Sequence, residues 1–159
     1  KGKLNEGIFD AATINPPSLL VVEDAIDALN WAKSIGGLPA LIARSNASLD
    51  AVKSWVAKTP YFGFLAEDPA TISNTGITLS IIDPWFVALD EVAKKVVASR
   101  LKKILQKEGV ALDVASYRDA PPGLRIWAGP TVEPSDVEAV LPWLGWAYAE
   151  IRQAELAAA

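Results

Sequence analysis

The 159-residue chain contains no cysteine, no histidine and no methionine. Without cysteine it has neither a disulfide frame nor a thiol nucleophile. Without histidine it lacks the commonest general base and the commonest metal ligand, so no metal site is expected. Losing all three residue types from a chain this long is unusual for a natural soluble protein. The pattern hints at an engineered sequence or a truncated fragment, and a first residue other than methionine points the same way. Any chemistry must rest on Lys, Arg, carboxylates, hydroxyls and backbone groups. Long hydrophobic runs are missing too: none approaches the ~20 residues that span a bilayer. The apolar residues 18–22 follow two prolines and lack the basic leader and cleavage site of a signal peptide. A soluble, cytoplasmic protein with no membrane partner is the expectation. Excess positive charge is also absent, and a net charge of −4 argues against nucleic acid as a partner. The one basic cluster, Lys94, Lys95, Arg100, Lys102, Lys103 and Lys107, falls in an amphipathic segment and reads as a solvated helix face.

What is present is enough apolar sequence, 51% of the residues, to build one packed core and to exclude disorder. Residues 1–17 carry turn formers and no helical period, which predicts an extended arm. Pro16 and Pro17 forbid helix before Ser18, which then caps one. Val22, Ile26, Leu29 and Ala32 form its apolar stripe, and Gly36-Gly37 ends it. A second helix is predicted over 38–58, with a bend or interruption at residues 45–48, whose side chains compete for backbone partners. The period then changes. Strands are predicted at 61–65 and 77–81, the latter alternating apolar residues with hydroxyls. One helix is predicted from Asp83-Pro84 to Gly109, with a stripe of Val87, Val92, Val96, Leu101, Ile104 and Leu105. Val110, Leu112 and Val114 predict a third strand and residues 124–128 a fourth. A long helix opens at Pro134, with Val137, Val140, Leu141, Leu144, Tyr148 and Ile151 on one side. The order β-β-α-β-β-α with short links implies an α+β fold. An antiparallel four-stranded sheet, covered on one face by helices, would follow the arm and two helices. The division is an arm at 1–17 and a domain at 18–159.

Residues 116–129, SYRDAPPGLRIWAG, are the most informative. Alternation puts Leu124 and Ile126 on one strand face and Arg125 and Trp127 on the other, so Arg125 points away from the core. A guanidinium beside an aromatic ring, after a proline-stiffened loop, suits bidentate capture of a carboxylate. Arg118 on the same unit would supply a second anionic contact. The structural alternative pairs Arg118 with Asp119 or Asp113 and lays Arg125 over Trp127. An Arg125 buried in an internal ion pair and facing the interior would remove the footing of the capture reading. Elsewhere the signals are bland. Glu67-Asp68 and Glu133 with Asp136 look like turn and cap residues, the glycine pairs make no phosphate-cradling motif, and Trp31, Trp55, Trp143 and Trp146 read as packing.

Three stretches in order, residues 6–44 (EGIFDAATINPPSLLVVEDAIDALNWAKSIGGLPALIAR), 58–75 (KTPYFGFLAEDPATISNT) and 117–136 (YRDAPPGLRIWAGPTVEPSD), resemble the C-terminal portion of bacterial phosphoserine aminotransferases. The resemblance runs through essentially the whole chain. It implies the small domain of a fold-type-I aminotransferase, preceded by the end of the cofactor domain. It further implies a homodimeric enzyme using pyridoxal phosphate to exchange an amino group between 3-phosphoserine and 2-oxoglutarate in serine biosynthesis. Arg125 matches the arginine that grips the substrate's α-carboxylate, and Arg118 one near its phosphate, where some relatives add a histidine and this chain has Tyr117. Asn15 matches an asparagine that contacts the cofactor phosphate of the partner subunit. The chain reads Asn15-Pro16-Pro17, with proline in place of the family's threonine, so one phosphate contact is lost. The family's Schiff-base lysine lies upstream of this sequence, and neither Lys1 nor Lys3 matches it. The implication is a substrate-clamping part with no catalytic residue of its own. The competing expectation is an isolated or engineered non-catalytic α+β domain.

Overall fold

The computed structural model describes residues 2, 4, 6–10, 12, 15, 16, 18–117 and 119–158, with Ala158 described by its backbone alone. The chain divides into two compact units, Lys1–Ala40 and Leu41–Ala159.

In the first unit, the segment expected to be extended carries a short 3-10 turn at Glu6–Asp10. Its end is closed by the Ala12 N–H donating to the Gly7 carbonyl at 2.8 Å. Helix α1 spans Leu19–Ser34, and Ser18 holds the extended conformation of an N-cap without a side-chain cap bond. Gly36 and Gly37 both take positive φ, which glycine adopts without a Cβ penalty, and they turn the chain from α1 into α2. The helix is as predicted, but its apolar stripe is not covered. No residue of α1 is buried, and Leu29 is 69% exposed.

Helix α2, Gly37–Val56, runs on into the second unit. It passes through residues 45–48 without interruption. Ser45 and Ser48 are buried, Ser48 Oγ without a hydrogen-bond partner, and Asn46 accepts from the Asn74 side chain at 2.8 Å. Strand β1 is Phe62–Phe64 and β2 is Gly76–Ile81. The helix expected from Asp83 to Gly109 is two: α3, Pro84–Val87, and α4, Glu91–Lys107. The break has a local cause: the Asp90 side chain accepts from the Ala93 N–H at 2.7 Å and caps a new helix. The break also shifts the buried stripe. Val87, Val92 and Val96 are exposed, while Val97, Leu101 and Leu105 are buried. Strand β3 is Gly123–Trp127 and α5 is Pro134–Ala158.

The sheet is antiparallel in the order β1-β2-β3. The strand expected at Val110, Leu112 and Val114 reduces to one bridge, Ala115 to Leu124, reinforced by the Arg125 N–H donating to the Val114 carbonyl at 2.9 Å. The reason lies at the end of α4. The Val110 and Ala111 N–H groups both donate to the Leu105 carbonyl, and Gln106 Nε2 donates to the Leu112 carbonyl. Backbone groups spent on the helix terminus are not available for a ladder.

Helices cover one sheet face, as expected. Phe62, Ile77, Leu79, Ile81, Leu124 and Ile126 join Leu49 and Val52 of α2, residues of α4, and Leu141, Leu144, Tyr148 and Ile151 of α5 in one core. Each fully buried Leu or Ile contributes roughly 1.5–3 kcal/mol relative to exposure. The alternate residues, Gly63, Thr78, Ser80, Arg125 and Trp127, lie outside that core. Among the described residues no helix is long and apolar enough to cross a membrane.

Candidate functional site

The register places Arg125 opposite Thr78, Trp127 opposite Gly76, and Ser80 between Gly63 and Gly123. The face turned away from the core therefore carries a guanidinium, an indole, two hydroxyls and three glycines, with only Trp127 of these exposed. Gly123 permits the tight pairing of β2 with β3, since a Cβ there would lie 2.3 Å from the Leu79 carbonyl oxygen. Gly129 gives room to the Trp127 ring, which lies 2.5 Å from where its Cβ would stand.

Arg125 faces away from Leu124 and Ile126, as alternation predicted, but it is not free. Its Nη2 donates to Asp113 Oδ2 at 2.7 Å, and its guanidinium carbon lies 4.6 Å from the centre of the Tyr117 ring. The arginine side chain is 15% exposed and that of Asp113 71%. Of the alternative expectation, the pairing of Arg118 with Asp119 or Asp113 falls outside the described residues, and Arg125 lies over Tyr117 in place of Trp127. The ion pair is internal to the chain, yet it lies on the side turned away from the core with a solvated acid. Arg125 Nε is buried and has no hydrogen-bond partner. In a guanidinium, Nε and Nη2 form one side-on fork that matches the two oxygens of a carboxylate. Here one prong holds Asp113 and the other holds nothing.

Arg118 lies outside the described residues. Asn15 is exposed within a bend of the first unit, and Arg125 belongs to the second. Tyr117 is 68% exposed. Sequence reasoning missed Asp113 as the partner of Arg125; its signal was an acid entering the segment that bridges β3.

The described residues do not form a pyridoxal-phosphate site. A lysine that forms a Schiff base must be desolvated or electrostatically tuned. No described lysine is buried, and Lys53 and Lys94 are tied to Asp50 and Glu91 on the surface. The described residues also hold no cluster of metal-ligating side chains.

Two further charged groups belong to the architecture. Asp83 is buried; its Oδ2 accepts from Tyr148 Oη at 2.8 Å and from Arg152 Nε at 2.7 Å. Burial, helped by the hydrogen bond to Asp83, holds the Tyr148 phenol far above its usual value, and the same acid raises Arg152. Arg44 donates from Nη2 to Glu133 at 2.5 Å and from Nε to the Pro130 carbonyl, which holds the Glu133 carboxyl below its usual value. The basic face of α4 is partly neutralised, with Lys94 bound to Glu91 and Arg100 to Glu155.

No protein-family model matches the chain. It is 44% identical over 147 residues to a phosphoserine aminotransferase of Methanosarcina barkeri, and 45% identical over the same length to that of Methanosarcina mazei. Each match takes in 92% of this chain and 37% of the relative. A phosphoserine aminotransferase of Nocardioides is 30% identical over 135 residues. In three dimensions, the phosphoserine aminotransferase of Bacillus circulans subsp. alkalophilus superimposes with a TM-score of 0.73. That match covers 91% of this chain and 36% of the other at 14% identity, and so speaks to fold alone. The chain thus spans little more than a third of the curated relatives that it matches, and in sequence and fold it corresponds to part of a phosphoserine aminotransferase.

Proposed function

We propose that this chain is the C-terminal, substrate-clamping portion of a phosphoserine aminotransferase. The complete enzyme exchanges an amino group between 3-phosphoserine and 2-oxoglutarate in the cytoplasm, within serine biosynthesis, as a homodimer. Residues 1–17 are the end of its cofactor domain and 18–159 its small domain. Pyridoxal phosphate supplies the amino-group chemistry, held by residues outside this sequence, with Asn15 contributing from the arm to the partner subunit's site. Both substrates carry a carboxylate beside the reacting carbon. Arg125 grips that group and fixes the carbon's position, which converts binding energy into orientation. Arg118 meets the second anionic group. Thr78 and Ser80 keep the surface around the guanidinium polar and small, so that a ligand reaches the strand.

The supporting observation is the half-empty guanidinium fork of Arg125 on the sheet face turned away from the core. Arg125→Ala in the complete enzyme is the test. The expected result is an apparent affinity for phosphoserine at least about thirtyfold weaker, the ordinary cost of removing one partner of a hydrogen-bonded charge pair. An unchanged KM would refute the clamp.

A further inference from the structure

We propose that Asp113 is a competitive latch on Arg125: it occupies the guanidinium in the empty site and gives it up to the carboxylate of the incoming substrate. This inference rests on the clamp reading above and assigns a specificity-determining role to a residue outside it.

Three observations carry the latch. The pair is monodentate: Asp113 Oδ2 meets Nη2 at 2.7 Å, while the adjoining Nε is buried and unpartnered. A buried donor without a partner is costly, and an acceptor spanning both nitrogens would relieve it. Asp113 covers one nitrogen only, so a two-oxygen ligand aligned with the fork gains a bond that the latch does not make. Second, Asp113 is 71% exposed while Arg125 is 15% exposed. The acid therefore leaves for water with little rearrangement of its own solvation, and the cover over Nε must open as the ligand enters. Third, the backbone holds the acid close to its partner. The Arg125 N–H donates to the Val114 carbonyl, and Ala115 bridges Leu124, so the residue beside Asp113 is pinned to the strand that carries Arg125. On the other side, Gln106 fixes the Leu112 carbonyl to α4. Asp113 thus sits between two anchors and moves chiefly by side-chain rotation.

A latch of this kind has two effects. It keeps the guanidinium oriented when no substrate is present, and it lowers affinity for every carboxylate by the fraction of time that the arginine is occupied. Monocarboxylates that bind end-on pay this competition without gaining the second prong. Ligands that fill both prongs overcome it.

The complete enzyme, assayed for amino transfer with phosphoserine and 2-oxoglutarate, provides the test. In Asp113→Asn the KM for both substrates should fall about tenfold with kcat within about twofold, as expected when a competing state populated roughly nine-tenths of the time is removed. The inhibition constant of glutarate, an unreactive dicarboxylate, should fall by the same factor. Asp113→Ala, which cannot hydrogen-bond to the guanidinium at all, should behave likewise and serves if the Asn variant is poorly folded. An unchanged or raised KM and glutarate constant in both variants would overturn the latch and make Asp113 a support for Arg125. Arg125→Ala separates the two ideas. If it weakens binding while the Asp113 variants do not strengthen it, the latch alone fails; if it changes nothing, the clamp fails as well.

Discussion

Replacing Asp83 with alanine should cost about 3 kcal/mol of folding stability, and the structure shows where that figure comes from. Asp83 Oδ2 accepts two hydrogen bonds, from Tyr148 Oη and from Arg152 Nε, and joins the segment after β2 to α5. The Tyr148 side chain is fully buried. Removing the acid forfeits a charge-assisted bond, about 1.5–3 kcal/mol, and strands the phenol hydroxyl, about 1–3 kcal/mol. The Arg152 side chain is 36% exposed, so water replaces most of what it loses and it adds little. Tyr148→Phe should cost less, about 1 kcal/mol, because the acid keeps Arg152 and no donor is stranded. In the double variant the stranded hydroxyl no longer exists, so the combined loss should fall short of the sum by about 1 kcal/mol or more. Urea unfolding at pH 7, followed by far-ultraviolet circular dichroism, reads all four corners of this cycle. A cost below about 1 kcal/mol for Asp83→Ala, or additivity within about 0.3 kcal/mol, would refute the argument.

The same tyrosine predicts an alkaline limit. Its phenol is raised in the folded chain, chiefly by burial. Above pH ~10 the unfolded chain loses this proton while the folded chain keeps it, so stability falls by about 1.4 kcal/mol per pH unit. Below that pH both states are protonated and the slope from this group vanishes; Tyr148→Phe should flatten the alkaline limb, as followed by urea midpoints between pH 9 and 11. Gly145 lies inside α5, and a Cβ there would meet only Trp55 Cζ2, at 3.8 Å. Gly145→Ala should therefore stabilise by roughly 0.5–1 kcal/mol through helix propensity, visible as a higher urea midpoint with an unchanged slope.

Much of the fold is local and therefore legible. Period-2 alternation in residues 77–81 and 124–127 located β2 and β3 and sorted their faces, because one face is buried. The 3.6-residue stripe of α5 is buried at Val137, Leu141, Leu144, Tyr148 and Ile151 as its spacing requires. What local pattern could not show was competition. Asp90 lies inside the span expected to be one helix, and as a cap it outweighs continuity and splits the segment into α3 and α4. Val110 and Leu112 alternate like a strand, yet their backbone groups serve the end of α4. The stripe of α1 has the spacing of a core helix and no cover. The relatives are about two and a half times as long as this chain.

The candidate site divides along the same line. Which way Arg125 points follows from its neighbours Leu124 and Ile126, whose burial leaves the opposite face to it. Which acid it meets depends on where residues 110–116 leave α4, a long-range outcome that spacing could not fix. The resulting pair answers a question that the sequence alone left open. An arginine kept for stability alone would be expected to satisfy its donors within the chain, since a stranded buried donor is destabilising. Arg125 satisfies one prong of its fork with a solvated acid and leaves the other sealed and empty. Ser48 Oγ is buried and unpartnered as well, so an orphaned polar atom by itself names no ligand; what sets Arg125 apart is a fork whose other prong already holds an acid. A carboxylate or a phosphate would fill that prong, because each offers two oxygens at the spacing of Nε and Nη2. An acid group of either kind fits the proposed clamp, and Arg125→Ala in the complete enzyme decides whether the fork serves one.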